Sequence, residues 1–255
     1  TESNKMEIVH AMRLRMVSSP DFNDENIWGA ILYQDTVTRG MVNILDEMGI
    51  KSFLKIDSGC EESGLLKNFD VKSMCEFATQ RTPENGSIGA QIYGTKMRSI
   101  VKSVDMVKPI LAQQFLLAQT ICSYGLVPII EPEVPIDHPQ KVEIEGEIVY
   151  QLHEFLDKFL GMKPGFILGK CILKLTPPET PNLYHNFTAF QNVEKVVFLS
   201  GGYSTNEACN RLRLNDDVSA SFSRALSEGL YAHQTTEEFN TQISNNIRMI
   251  KEACQ

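Results

Sequence analysis

Seven short apolar runs alternate along this chain with segments whose apolar residues recur at helical spacing, and that alternation constrains the fold more than any other feature. The runs lie near residues 28, 52, 92, 126, 171, 196 and 220. They read as strands at Trp28–Gln34, Ser52–Asp57, Ile92–Arg98, Gly125–Ile130, Cys171–Thr176, Lys195–Leu199 and Ser219–Ser223. Helical spacing marks Glu2–Val17 (with Met6, Val9, Met12 and Met16 on one side), Val37–Met48, Val71–Gln80, Asp105–Tyr124, Val142–Leu160, a segment from Asn206, and Thr236–Ala253. Pro109 falls early in its helix, where proline is best tolerated. A Pro/Asn/Gly loop is expected at 83–89. Strand and helix taking turns argue for a parallel sheet with helical crossovers.

Seven strands are one short of a (β/α)8 TIM barrel, and the chain opens on a helix where a barrel opens on a strand. The economical expectation is a single α/β barrel domain over residues 1–255, its first strand lying upstream of Thr1. An open doubly wound sheet is the alternative, but no G-x-G-x-x-G follows any strand.

Charge narrows the partners. The net charge is −8, and no basic run or aromatic-interleaved Lys/Arg patch occurs, so nucleic acid is a poor partner. A few local cations could still hold a small anion. Six cysteines (60, 75, 122, 171, 209 and 254) are widely spaced without C-x-x-C, as expected of free thiols in a reducing, cytoplasmic setting. Five scattered histidines have no metal-ligand spacing, so no metal and no cofactor is expected. No apolar run is long enough for a membrane span. Helix faces rich in Met and Leu fit either the barrel shell or a homo-oligomer contact. Asn186-Phe187-Thr188 has the form of a glycosylation sequon, a triplet that often arises by chance.

The strands carry an anomaly. Cys171-Ile172-Leu173-Lys174-Leu175-Thr176 is a buried-looking strand with a lysine inside it. An ammonium is costly to bury unless it is paired or gives up its charge. Side chains alternate between the faces of a strand. Lys55 and Asp57 therefore share a face, as do Gly94, Lys96 and Arg98, Glu131 and Glu133, and Ile172, Lys174 and Thr176. In each case the charges sit toward the strand's C-terminal end, where barrel active sites are built. One such charge is ordinarily just the first exposed loop residue; four strands with the same parity imply convergence on one mouth. The last two strands end differently, in Leu199-Ser200-Gly201-Gly202 and Ser221-Phe222-Ser223-Arg224. Ser-Gly-Gly alone is an ordinary turn. After the penultimate strand of a barrel, with Arg224 following the last, it is a candidate phosphate site.

Clustered and buried lysines lower one another's pKa, and a neutral lysine attacks carbonyls to give an imine. Lys174 is the candidate nucleophile. Glu131 is placed to move protons while the carbinolamine loses water, with Glu133 as a second carboxylate that can hold a neighbouring lysine. A protonated imine then accepts electrons as an adjacent carbon–carbon bond breaks.

The segments Phe53–Asp57, Gly94–Arg98, Val127–Glu133, Leu173-Lys174, Phe198–Gly202 and Ser221–Leu226 together resemble class I fructose-1,6-bisphosphate aldolases, particularly the shorter bacterial-type branch, over nearly the whole chain. The resemblance implies a Schiff base on Lys174, acid–base catalysis by Glu131, and Glu133 beside the imine lysine. It implies Lys96 near the imine and the substrate hydroxyls. Lys55 and Arg98 would lie near the second phosphate with Asp57 as their partner, and Ser200, Gly201, Gly202, Ser223 and Arg224 around the ketone-side phosphate. The implied activity is reversible, metal-independent cleavage of fructose 1,6-bisphosphate, a step of glycolysis and gluconeogenesis. The sequence departs from the family at Ser223, where the muscle type has glycine, and at Ser58, where lysine is frequent. It also lacks the family's first strand, which carries an aspartate at the imine, and the long tail of the muscle type. A transaldolase, an aldolase for a monophosphorylated sugar and a catalytically silent sugar-phosphate-binding barrel are the competing readings.

Overall fold

The computed structural model describes residues 2–80, 91–160 and 169–254; the loop expected at 83–89 lies outside them. Seven parallel strands form one sheet in sequence order: β1 Gly29–Leu32, β2 Lys51–Lys55, β3 Ile92–Ile100, β4 Val127–Glu133, β5 Cys171–Leu175, β6 Val193–Phe198 and β7 Ser219–Ala220. Helices connect them: α1 Glu2–Val17, α2 Gln34–Thr38, α3 Met41–Glu47, α4 Val71–Thr79, α5 Val104–Ser123, α6 Lys141–Leu160, α7 Thr205–Arg213 and α8 Thr236–Lys251. A short 3-10 turn, His185–Ala189, connects β5 to β6. Strict sequence order with every pair parallel is the topology of a TIM-barrel-like sheet.

The sheet curls, and its concave side is filled by Phe53, Ile129, Ile172 and Val197 from β2, β4, β5 and β6. Its convex side packs on the helices through two larger apolar clusters. One runs along α5, α6 and α7, and the other joins α2, α3, α4 and α8 to β1–β3. α1 ties the start of the described chain to its end, because the Arg15 guanidinium donates to the Gln234 and Thr235 carbonyls at the start of α8 (2.6 and 2.7 Å).

Three expectations are corrected. The helix over 37–48 is two helices, broken at Gly40, whose φ of +82° belongs to the left-handed region that glycine enters without penalty. In α1, Met6 and Val9 are exposed, and only the second half, from Met12, packs on the core. The fourth strand ends in Glu131-Pro132-Glu133, as its sequence suggests, because β3 pairs with it as far as Ile100↔Glu133. The seventh strand is only two residues long; beyond Ser221, whose N–H bonds to the Phe198 carbonyl, the chain turns and Phe222 enters the outer core.

Two ladders slip near the floor of the barrel: β2–β3, and β5–β6 between Cys171↔Val193 and Ile172↔Lys195. The β2–β3 register slips between Ser52↔Ile92 and Phe53↔Gly94, so Tyr93 is an extra residue. Its ring packs edge-on against Phe53 and Trp28, with centroids 5.5 and 5.8 Å apart, and its hydroxyl donates to Glu194 at 2.6 Å. Gly94 makes the bulge fit. A Cβ there would lie 2.0 Å from the Val127 carbonyl oxygen and 2.9 Å from the Phe53 ring. Gly94→Ala is therefore expected to destabilise the protein by about 1–3 kcal/mol, the usual cost of overpacking. That is a fall of several degrees in the thermal midpoint, and an unchanged melting curve would contradict this account.

Candidate active site

Directly above the apolar floor, toward the C-terminal ends of the strands, three charged side chains from three strands meet. Glu131 of β4 sits between two ammonium groups. Lys96 Nζ of β3 is 2.8 Å from one carboxylate oxygen, and Lys174 Nζ of β5 is 3.5 Å from the other. Strand register explains the meeting. Arg98 lies opposite Glu131, which puts Lys96 one inward position lower on β3. The β4–β5 ladder ends at Ile130↔Leu173, one step below Glu131 and Lys174. All three residues are buried, Lys174 and Lys96 at 7% exposure and Glu131 at 3%.

Burial is what perturbs Lys174. Desolvation, the largest effect, holds its pKa below the ordinary lysine value; the Glu131 carboxylate opposes this, and the neighbouring Lys96 charge adds to it. A lysine held toward its neutral form, next to a carboxylate and in an apolar surround, is equipped for nucleophilic attack on a carbonyl.

A second layer of charge lies one inward position higher. Arg98 Nη1 pairs with Glu133 at 3.1 Å, and the Glu133 charge also favours the ammonium form of Lys174, against the effect of burial. Lys55 Nζ pairs with Asp57 Oδ1 at 2.8 Å and donates to the Asp57 carbonyl at 2.6 Å. Asp57 also accepts from the backbone N–H groups of Gly59 and Arg98, which fixes the β2 exit loop against β3.

The loops after β6 and β7 are tied to one another. Thr205, at the start of α7, donates through its hydroxyl to the Ala225 carbonyl (3.2 Å) and through its N–H to Glu228 (3.0 Å). Ser200 and Gly201 are buried, whereas Gly202, Ser223 and Arg224 are exposed. Among the described residues Arg224 makes no ion pair. The glycines are explained by Ile136 from the loop after β4. It lies over them so closely that a Cβ on Gly201 or Gly202 would come within 3.1 or 2.9 Å of its methyl groups, and Gly201 has φ +54°. The structure thus brings Lys96, Glu131 and Lys174 into direct contact, with Arg98 and Glu133 above them. Lys55 and Asp57 form a separate pair one strand over, and the Ser200–Gly202 loop and Ser223-Arg224 form a neighbouring rim.

Sequence reading missed the groups that support this layer. Gln114 of α5 is fully buried and bonds both backbone polar groups of Glu131. Parity alone puts Thr176 on the face of Lys174; its hydroxyl both donates to the Val134 carbonyl and accepts from the Val134 N–H, each at 2.9 Å, and so joins the tops of β4 and β5 beyond their ladder. Lys141, at the start of α6, is buried and donates to Glu145, to the Pro177 carbonyl and to Glu179, which fastens the loop after β5. Burial pushes the Glu145 carboxyl above the ordinary value, against the pull of Lys141. A signal existed for Gln114: it falls on the apolar stripe of α5 defined by Val107, Ile110, Leu111, Ala118 and Ile121, where a polar side chain is out of pattern.

Fold and site together define a TIM-barrel-like α/β protein with a buried lysine–glutamate–lysine cluster at the C-terminal end of its sheet. No family model matches the sequence. Among solved structures, the chain is similar to a fructose-bisphosphate aldolase from Plasmodium falciparum, captured in a ternary complex with TRAP and a small-molecule inhibitor. The TM-score is 0.70 and the identity 18%, over 90% of this chain and 77% of that one. The likeness shows a shared fold.

The electrostatics predict a pH dependence. The neutral fraction of Lys174 rises as pH rises through its lowered pKa, so labelling of Lys174 by an amine-selective acylating reagent is expected to reach half-maximum at a lower pH than labelling of exposed lysines. In Glu131→Gln the opposing carboxylate is gone, and the midpoint is expected to fall further. A midpoint that moves upward would contradict the assignment.

Proposed function

We propose that this chain is a class I aldolase, a lyase that cleaves fructose 1,6-bisphosphate reversibly to dihydroxyacetone phosphate and glyceraldehyde 3-phosphate through an imine on Lys174, in glycolysis and gluconeogenesis. The observation that carries the reading is the Glu131 carboxylate held between the Lys174 and Lys96 ammonium groups on an apolar floor. The aldolase-like fold and the segments resembling that family add to it.

In this reading Lys174 passes one ammonium proton to the Glu131 carboxylate, the neutral Nζ attacks the ketone carbon, and the proton that the nitrogen then sheds goes to the carbonyl oxygen to give the carbinolamine. Protonated Glu131 gives its proton to that hydroxyl, which leaves as water, and the imine forms. The Glu131 carboxylate so generated can take the proton from the hydroxyl on the carbon beyond the scissile bond. As that bond breaks, its electron pair moves into the protonated imine, which becomes an enamine, and the aldehyde departs. Reprotonation of the enamine carbon and hydrolysis of the imine release the ketone product and restore the free lysine. Lys96 keeps a positive charge beside the developing oxyanion. The imine is the electron sink, so this route calls on no metal. Ser200, Gly201, Gly202, Ser223 and Arg224 would hold the ketone-side phosphate, and Lys55 and Arg98 the other.

One observation favours a second reading, an aldolase for a singly phosphorylated sugar. Lys55 and Arg98 are already paired with Asp57 and Glu133, which lessens their pull on a second phosphate. Comparing kcat/KM for fructose 1,6-bisphosphate and fructose 1-phosphate separates the two, and equal values would reject the bisphosphate preference.

Borohydride reduction in the presence of fructose 1,6-bisphosphate is expected to trap an adduct on Lys174, located by peptide mass spectrometry. Lys174→Met is expected to lower turnover by ~10³-fold or more while keeping the native circular dichroism spectrum, as removal of a covalent nucleophile does. Absence of an adduct together with activity abolished by a chelator would reject the imine route, as would undiminished turnover in the methionine variant.

A further inference from the structure

We propose that Gln114, on the outer helix α5, is a positioning residue that sets where the Glu131 carboxylate stands between the two lysines. The inference rests on the proposed imine chemistry for its kinetic consequence, but not for its geometry.

Gln114 has no exposed surface and is surrounded by the apolar residues of α5. Its amide is nonetheless fully engaged. The side-chain oxygen accepts the Glu131 N–H at 2.9 Å, and the nitrogen donates to the Glu131 carbonyl at 3.3 Å and to Ser99 Oγ at 2.8 Å. Chemistry fixes the orientation, because the Glu131 N–H can only donate and must face the amide oxygen. One side chain thus grips both polar groups of a single residue's backbone.

The grip falls within the β3–β4 ladder, which runs past Glu131 to Ile100↔Glu133, whereas the β4–β5 ladder stops at Ile130↔Leu173. Gln114 adds to strand pairing at Glu131 and ties that residue's backbone to α5, as Thr176 ties Val134 to the end of β5. A helix outside the barrel therefore holds the strand at the residue whose side chain spans Lys96 and Lys174. Loosening that peptide moves the carboxylate relative to both nitrogens, with no change in the residues that would hold phosphate.

The test uses Gln114→Leu and Gln114→Glu in the full chain. Gln114→Leu keeps the volume and loses all three hydrogen bonds. Its kcat is expected to fall about 10–100-fold, the scale of a sub-ångström to ångström misplacement of a catalytic group, with KM within about threefold of wild type. The protonated form of Gln114→Glu can accept from the Glu131 N–H and donate to its carbonyl, so this variant is expected to recover part of the lost kcat at low pH and less at high pH. Wild-type kcat in folded Gln114→Leu would overturn the proposal, as would a rise in KM that accounts for the whole loss. Should Gln114→Leu fail to fold, Gln114→Glu decides: a kcat that falls as its carboxyl ionises supports the proposal, and a pH profile parallel to wild type overturns it. If wild-type protein gives no borohydride adduct with any sugar phosphate, it is the reading of function that has failed. The role of Gln114 is then judged from the pH midpoint of Lys174 acylation, which shifts in the variants if Gln114 positions Glu131 and stays fixed if it does not.

Discussion

The Glu131 carboxylate lying between the Lys96 and Lys174 ammonium groups is the interaction on which the site depends. Each ammonium alone would be an uncompensated charge in an apolar surround. Shared across one carboxylate, the two lysines are tolerated, yet the cluster keeps an excess of positive charge, and Lys174 is held toward its neutral form. Breaking a buried ion pair by removing one partner typically costs ~3–5 kcal/mol. The same contacts thus place the reactive nitrogen and make Glu131 a structural necessity.

That placement requires the strand tops to be rigid beyond the point where the sheet can make them so. The β4–β5 ladder ends just below the cluster. Around and above that point, side chains brace the strand ends: Gln114 of α5 at Glu131, Thr176 at Val134, and Lys141 with Glu145 and Glu179 at the loop after β5. Underneath, Phe53, Ile129, Ile172 and Val197 exclude water from the interior. The site is dry from below and braced from the side, as preorganised electrostatics require.

Much of the fold could be read from the sequence because periodicity is a local property. Strand runs of five to seven residues separated by helical spacing left few topologies, and parity alone placed Lys96, Glu131 and Lys174 on one face of their strands. Where sequence reading erred, competition between distant groups decided. Gly40 split a helix that composition favoured. Met6 and Val9 follow a helical stripe but are exposed, because the apolar core reaches α1 only from Met12 onward.

By itself the sequence determined the alternation of elements, the parallel order they imply, and which charges point inward, because these follow from the geometry of one strand or one helix at a time. Only the tertiary structure decided who meets whom: that one carboxylate serves two lysines, that Tyr93 is a bulge residue closing the floor, and that a glutamine on an outer helix grips the backbone of Glu131. Those outcomes depend on register between strands and on which helix side chains reach the strand backbone. Both are set by the packing of segments far apart in sequence, which no local pattern encodes.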